Sequence, residues 1–246
     1  MRDAARRPNR GGTRLASLTL NREAEAARYR ALRGEIDEAA RRCGRDPAEI
    51  TLVGIGKGQT PQRIAAAIAA GLADLGENYL QEAQRTFAVL PPVRKHFVGH
   101  LQTNKAKPIA AAFDMVQSVD RAEAGEALSR AASEAGKLLP ILLQLNVSPA
   151  ERFGCQPAQA DRLAETLRGR AGLRLDGVMA IGPLGVGRDE MLRAFELAAK
   201  TLARIGGSTL SIGMSGDWRE AIQAGSTMLR IGEALFGSRA KKEVSR

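Results

Sequence analysis

Cysteine, histidine, aromatic residues and long apolar runs are all scarce in this chain, and each scarcity removes a class of protein. Two cysteines, Cys43 and Cys155, make neither a disulfide framework nor a thiolate cluster. Two histidines, His96 and His100, are too few and too poorly accompanied for zinc. No run approaches the roughly 20 apolar residues of a membrane span. The first 14 residues are Arg-rich but hold no apolar segment of the kind a secretory leader needs, so a cytoplasmic location is expected. Aromatics at 4% leave little to stack on bases. The net charge of +10 points at first to nucleic acid. Yet five arginines fall in the first 14 residues, and Arg239, Lys241, Lys242 and Arg246 crowd the other end. Between them acids and bases interleave as on solvated helix faces, so neither nucleic acid nor membrane is expected as a partner.

What is present is a regular alternation. Asn21 to Arg42 reads as an amphipathic helix. Apolar segments then recur: 50–56, 73–78, 96–100, 115–119, 140–147, 175–181, 208–214 and 228–236, separated by helical stretches. Thr60-Pro-Gln-Arg opens one helix with a capping hydroxyl and Pro in the first turn, and Asp120 is placed to cap another. Continuous apolar strands between helices imply a parallel sheet covered on its outer face. Eight strand–helix units in 246 residues match a single α/β (β/α)8 TIM barrel with an extra N-terminal helix. No G-x-G-x-x-G turn follows the first strand, which argues against an open dinucleotide fold. The expected division is a disordered basic tail at 1–18, the barrel at 19–240, and a short tail at 241–246.

Working groups of such a barrel sit at the C-terminal ends of its strands. That rule gathers Lys57, Glu77, Asn78, His100, Gln102, Ser118, Asp120, Asn146, Met179, Ile181, Gly213 to Ser215, Arg230 and Gly232. An amine at a buried strand end is costly to keep charged, and a neutral lysine is the nucleophile that forms a Schiff base with a carbonyl compound. Ser211, Ser215, Ser226, Thr227 and the Gly232 backbone offer hydroxyls and N–H groups to a phosphate, in segments that many barrels use that way. Carbonyl and phosphate on one ligand mean pyridoxal 5′-phosphate (PLP) or a sugar phosphate. Arg230, inside an apolar segment, needs a specific acceptor: a carboxylate such as Glu77 or Asp217, or a pyridine nitrogen. His100 reads first as a core histidine.

Five segments together carry a family resemblance: Lys57, Gly76-Glu-Asn-Tyr-Leu-Gln-Glu82, His96-Phe-Val-Gly-His-Leu-Gln-Thr-Asn-Lys105, Leu210-Ser-Ile-Gly-Met-Ser-Gly-Asp217 and Gly225-Ser-Thr-Met-Leu-Arg-Ile-Gly232. The chain resembles the pyridoxal phosphate homeostasis protein family, whose members resemble the barrel domain of alanine racemase. The resemblance implies a fold-type III PLP protein with the Schiff base on Lys57 and Asn78 near the cofactor. It places Arg230 at the ring nitrogen, and Ser215, Ser226, Thr227 and Gly232 at the phosphate. It implies a regulatory or carrier role in vitamin B6 and amino-acid homeostasis, with PLP and PLP-dependent apoenzymes as partners. A monomer is expected, since no swapped domain is evident. Two departures stand out. The first strand ends Gly-Ile-Gly-Lys-Gly where the family more often has Val-Ser-Lys, and Phe153 stands where the family often has another lysine. An amino-acid racemase is the alternative, and a Schiff-base aldolase a third. Racemisation needs proton donors on both faces of the substrate carbon, and the chain offers only Tyr29 and Tyr79 besides Lys57.

Overall fold

The computed structural model describes residues 10–150 and 152–238, with side chains from residue 22 onward. Eight parallel strands form one closed barrel: β1 (Thr51–Ile55), β2 (Asp74–Glu77), β3 (Arg94–Phe97), β4 (Met115–Val119), β5 (Leu139–Leu145), β6 (Leu173–Ala180), β7 (Thr209–Ser211) and β8 (Met228–Ile231). Each strand is hydrogen-bonded to the next, and β8 returns to β1 with Val53 opposite Arg230. The helices between them are α2 (Pro61–Ala69), α3 (Leu80–Phe87), α4 (Ala106–Ala112), α5 (Ala122–Glu134), α6 (Ala160–Arg168), α7 (Arg188–Ile205) and α8 (Trp218–Gln223). A last short helix, α9 (Glu233–Phe236), takes the residues expected to prolong β8. The strand ends at Gly232, and α9 packs on the outside of the barrel against α1.

Alternation along each strand sorts the core into two layers. Val53, Met115, Leu142, Met179 and Met228 fill the barrel interior, and a larger cluster packs the strands against the helices. Thr60 caps α2 as its sequence predicts, accepting from the Arg63 amide. Asp120 does not cap α5: Arg121 occupies the cap position without a side-chain bond, and Asp120 pairs with the Arg121 guanidinium at 2.7 Å.

The leading helix, α1 (Arg10–Arg42), begins eleven residues before Asn21, because elongating an existing helix requires no new nucleus. Residues 1–9 of the first expected tail, the last two residues of the expected barrel (239–240) and the whole second tail lie outside the described residues, while the described part of the first tail is helical backbone. Leu32, Ile36 and Ala40 of α1 are buried, and the helix packs on α2, α8 and α9. With six and four residues, α8 and α9 are too short to cover β8 and β1 alone, and α1 supplies the missing apolar cover. Arg33 donates to the carbonyls of Pro47 and Ile50, and Tyr29 donates to the Gly71 carbonyl, so the turns on either side of β1 and α2 are tied to α1.

Candidate functional site

Lys57 follows β1 at the C-terminal mouth, one inward position beyond Ile55. It is half-buried, and its Nζ lies 5.3 Å from the centroid of the Tyr79 ring. The amine therefore sits at the water boundary against an aromatic face, not in the apolar interior expected for it. It lines a cavity of about 300 Å³ with Ile55, Gln59, Gly232 and Glu233. A neighbouring cavity of about 320 Å³ is lined by Asn78, Tyr79, His100 and Gln102. The β2–β3 edge is drawn tight there: a Cβ at Gly99 would lie 1.9 Å from the Asn78 carbonyl oxygen, so only glycine fits. A third, larger cavity of about 570 Å³ is lined by Gln144, Asn146, Arg152, Phe153 and Ile181. Asn146 is committed to its own loop, donating to Ala150 O and accepting from the Ser148 amide.

Arg230 is buried on β8, one inward position below Gly232. Nη1 donates to the Ser211 carbonyl and hydroxyl at 2.6 and 2.8 Å, and Nη2 donates to the Ala180 carbonyl at 2.9 Å. Among the described residues no carboxylate forms an ion pair with it; neither Glu77 nor Asp217 is its partner. Burial lowers its pKa to about 10, partly offset by the nearby Asp217 charge, so it remains protonated at neutral pH.

Glu77 faces elsewhere. It is buried, its Oε2 has no hydrogen-bond partner, and a Cβ at Gly56 would meet its Oε1 at 2.4 Å. The glycine before Lys57 is thus the space that this carboxyl occupies. Burial, reinforced by Glu82, pushes the Glu77 pKa up to about 7.

The four phosphate hydroxyls expected from sequence separate into two groups. Ser215 lies in the loop between β7 and α8, half-buried at the mouth, where its hydroxyl accepts from the Ala234 amide at 3.2 Å. It does not cap α8, where Asp217 stands at the N-cap position, but serves the first turn of α9 instead. Ser211 is fully buried, with its oxygen shared between Arg230 and Gln117 Oε1, and is not free for a ligand. Ser226 and Thr227 precede β8, and a parallel strand starts at the end opposite the mouth, so they cannot share a site with Lys57. The Ser226 hydroxyl donates to the Ile212 carbonyl at 2.8 Å, and the Thr227 hydroxyl accepts from the Leu210 amide at 2.9 Å. Their placement was already implicit in the strand direction.

The core histidine is His96, which is fully buried, and not His100, which is exposed and stacked on Phe153 with ring centroids 3.8 Å apart. Gln117 was missed. Its signal was a long amide inside Met115-Val-Gln-Ser-Val119, a strand buried throughout. Cys155 is buried with its thiol pushed up to about 12, mainly by burial, and is unreactive there. Among the described residues no cluster of His, Cys, Asp or Glu is placed to hold a metal, and no helix is long and apolar enough to cross a membrane.

Residues 28–240 match the family model described as "Alanine racemase, N-terminal domain". The chain is 43% identical over 209 residues to a pyridoxal phosphate homeostasis protein of Pseudomonas aeruginosa, covering 83% of this chain and 91% of that one. It superposes on PipY of Synechococcus elongatus, solved with PLP bound, with a TM-score of 0.76 and 31% identity, covering 87% of this chain and all of that one. Alanine racemase from Corynebacterium glutamicum shares the fold at a TM-score of 0.67 and 13% identity, with 63% of that chain covered. The eight-stranded barrel, the strand-end lysine and the buried arginine thus belong with this extent of match, and the chain is a member of the pyridoxal phosphate homeostasis protein family.

Proposed function

We propose that this protein binds PLP at the barrel mouth, holds its carbonyl carbon on Lys57, and serves as a carrier or regulator of intracellular PLP without turning over amino acids. The observation that carries this reading is that Lys57 and Gly232, from adjacent strands β1 and β8, line one cavity at the mouth, with the Arg230 guanidinium buried one inward position below Gly232. A cavity of about 300 Å³ at Lys57 lies at the small end of the roughly 300–1,000 Å³ usual for ligand sites. It suits one compact cofactor with part of its surface in water. The residues fit the group: an amine for the aldehyde, a fixed cation for a ring nitrogen, and the Gly232 backbone with the Ser215 hydroxyl for the phosphate. Asn78, beyond the end of β2 on the other side of β1 from β8, lines the neighbouring cavity and would border the ring.

PLP, when bound, supplies an electrophilic carbonyl and a conjugated ring able to draw electrons from a substrate α-carbon. The protein's residues limit that chemistry. A guanidinium does not give up its proton, so Arg230 leaves a facing ring nitrogen unprotonated and the ring a poor electron sink. Tyr29, on α1, is tied to the Gly71 carbonyl before β2, far from the mouth, which leaves Tyr79 as the one tyrosine beside Lys57. At 52% exposure, Tyr79 is a poorly fixed acid, and racemisation needs a fixed one on the face opposite the lysine. PLP-dependent apoenzymes are the recipients that such a carrier would serve.

The test is the visible spectrum of the protein with one equivalent of PLP, followed by borohydride reduction and peptide mapping. A single reduced adduct on Lys57 is expected; an adduct on another lysine at equal yield overturns the assignment. Incubation with L-alanine in heavy water separates the two functions: repeated α-deuteration with D-alanine appearing would make the protein a racemase.

A further inference from the structure

A continuous row of hydrogen bonds crosses the barrel interior from β8 to β2. Arg230 Nη1 donates to Ser211 Oγ at 2.8 Å, and Ser211 Oγ donates to Gln117 Oε1 at 2.7 Å. Gln117 Nε2 reaches His96 Nδ1 at 2.9 Å, and His96 Nε2 reaches Asp74 Oδ1 at 2.8 Å. Arg230, Ser211, Gln117 and His96 are buried, while Asp74 is the first residue of β2, at the end away from the mouth, with its side chain 13% exposed.

The two ends decide the direction of every link. A guanidinium only donates and an ionised carboxylate only accepts, and with the Gln117 amide oriented as it stands each group between them accepts from the Arg230 side and donates toward Asp74. That orientation has His96 accept at Nδ1 and donate from Nε2. The second N–H of the Gln117 amide meets Met228 Sδ at 3.2 Å. Bonds aligned head to tail between a cation and an anion polarise one another, and the dry interior leaves them unscreened. Of the three acceptors on Arg230, two are strand carbonyls whose positions the sheet sets. The Ser211 hydroxyl is the one whose orientation depends on side chains.

We infer that Gln117, His96 and Asp74 are positioning residues for Arg230. They set the Ser211 hydroxyl, and through it the guanidinium, so that PLP affinity at the mouth depends on a carboxylate at the opposite end of the barrel. This rests on the reading that Arg230 faces the ring nitrogen. A network serving only the fold would stabilise the barrel without distinguishing one ring atom from another.

The experiment compares dissociation constants of the apoprotein, by calorimetry, for PLP and for 1-deazapyridoxal 5′-phosphate, in which the ring nitrogen is replaced by C–H. The parent protein should prefer PLP by about tenfold or more, the loss of one charged hydrogen bond. Asp74→Asn keeps an acceptor and removes the charge, and Gln117→Leu removes the link. Each should shrink the preference by roughly threefold or more through loss of PLP binding, with the analogue's affinity held. A parent preference that survives unchanged in both variants, or an equal weakening toward both ligands, overturns the inference and leaves the Arg230 reading standing. No preference in the parent protein removes that reading and the inference with it. If Gln117→Leu does not fold, Asp74→Asn at the partly exposed end decides alone.

Discussion

The two ends of this barrel carry similar residue types and treat them differently. At the lower end, Ser226 and Thr227 use their hydroxyls on strand backbone, and Arg45 donates to the Ser226 and Ile222 carbonyls. Even the cavity there, about 490 Å³, has its Arg174 held by both carboxylate oxygens of Asp176, at 2.6 and 2.9 Å. At the mouth, among the described residues, the Lys57 amine lies against the Tyr79 ring with no hydrogen bond, and Ser215 accepts one backbone bond. Among the described residues the two buried side-chain atoms without partners, Glu77 Oε2 and Ser118 Oγ, lie near the C-terminal ends of their strands but line none of the mouth cavities. Polar groups at the lower end complete the fold; those at the mouth are left partly unspent, as a site for a ligand requires. A serine or arginine is informative about binding only once its end of the strand is known.

The contrast breaks most sharply at Lys57. Lys57→Ala should abolish the borohydride-reducible adduct, while the unfolding free energy of the apoprotein changes by less than about 1 kcal/mol, as for an ordinary surface change. A variant that keeps a stoichiometric adduct would erase the distinction between the mouth and the rest.

Glu77 sharpens it with pH. Unfolded, this carboxyl loses its proton near 4.5; folded, it keeps it to about 7, because burial penalises the charge. The folded state thus binds the extra proton between those values, and stability is lost as pH rises from about 4.5 to about 7. At about 1.4 kcal/mol per unit, the loss is roughly 3 kcal/mol. Glu77→Gln should remove this dependence, making the variant more stable than the parent at pH 8 by up to roughly 3 kcal/mol and about equal near pH 4.5. Parallel stability–pH curves for the two, measured by urea unfolding, would show that the carboxyl is not ionising in the fold.

Ser226→Ala gives the smallest effect and the cleanest contrast. It should cost about 1–2 kcal/mol of stability by removing a buried donor from strand carbonyls, with PLP affinity unchanged. Weakened PLP binding at unchanged stability would return Ser226 to the phosphate site.

Much of the molecule was legible before folding. Apolar runs of strand length between amphipathic stretches determined the number and order of the units, and their count required closure into a barrel. That order put Lys57, Asn78 and Gly232 at one end, because strands running in parallel all finish on the same face. It equally put Ser226 and Thr227 at the other end, although a phosphate role had been expected of them. Only the tertiary structure decided what the interior polar residues do. Whether Arg230 meets Glu77, Asp217 or the Ser211 hydroxyl depends on the stagger of strands around the closed barrel. So does the reach of Gln117 from β4 across to Ser211 on β7. Local pattern says which side chains point inward; closure alone brings residues 94 positions apart within a hydrogen bond, and no run of neighbouring residues contains that information.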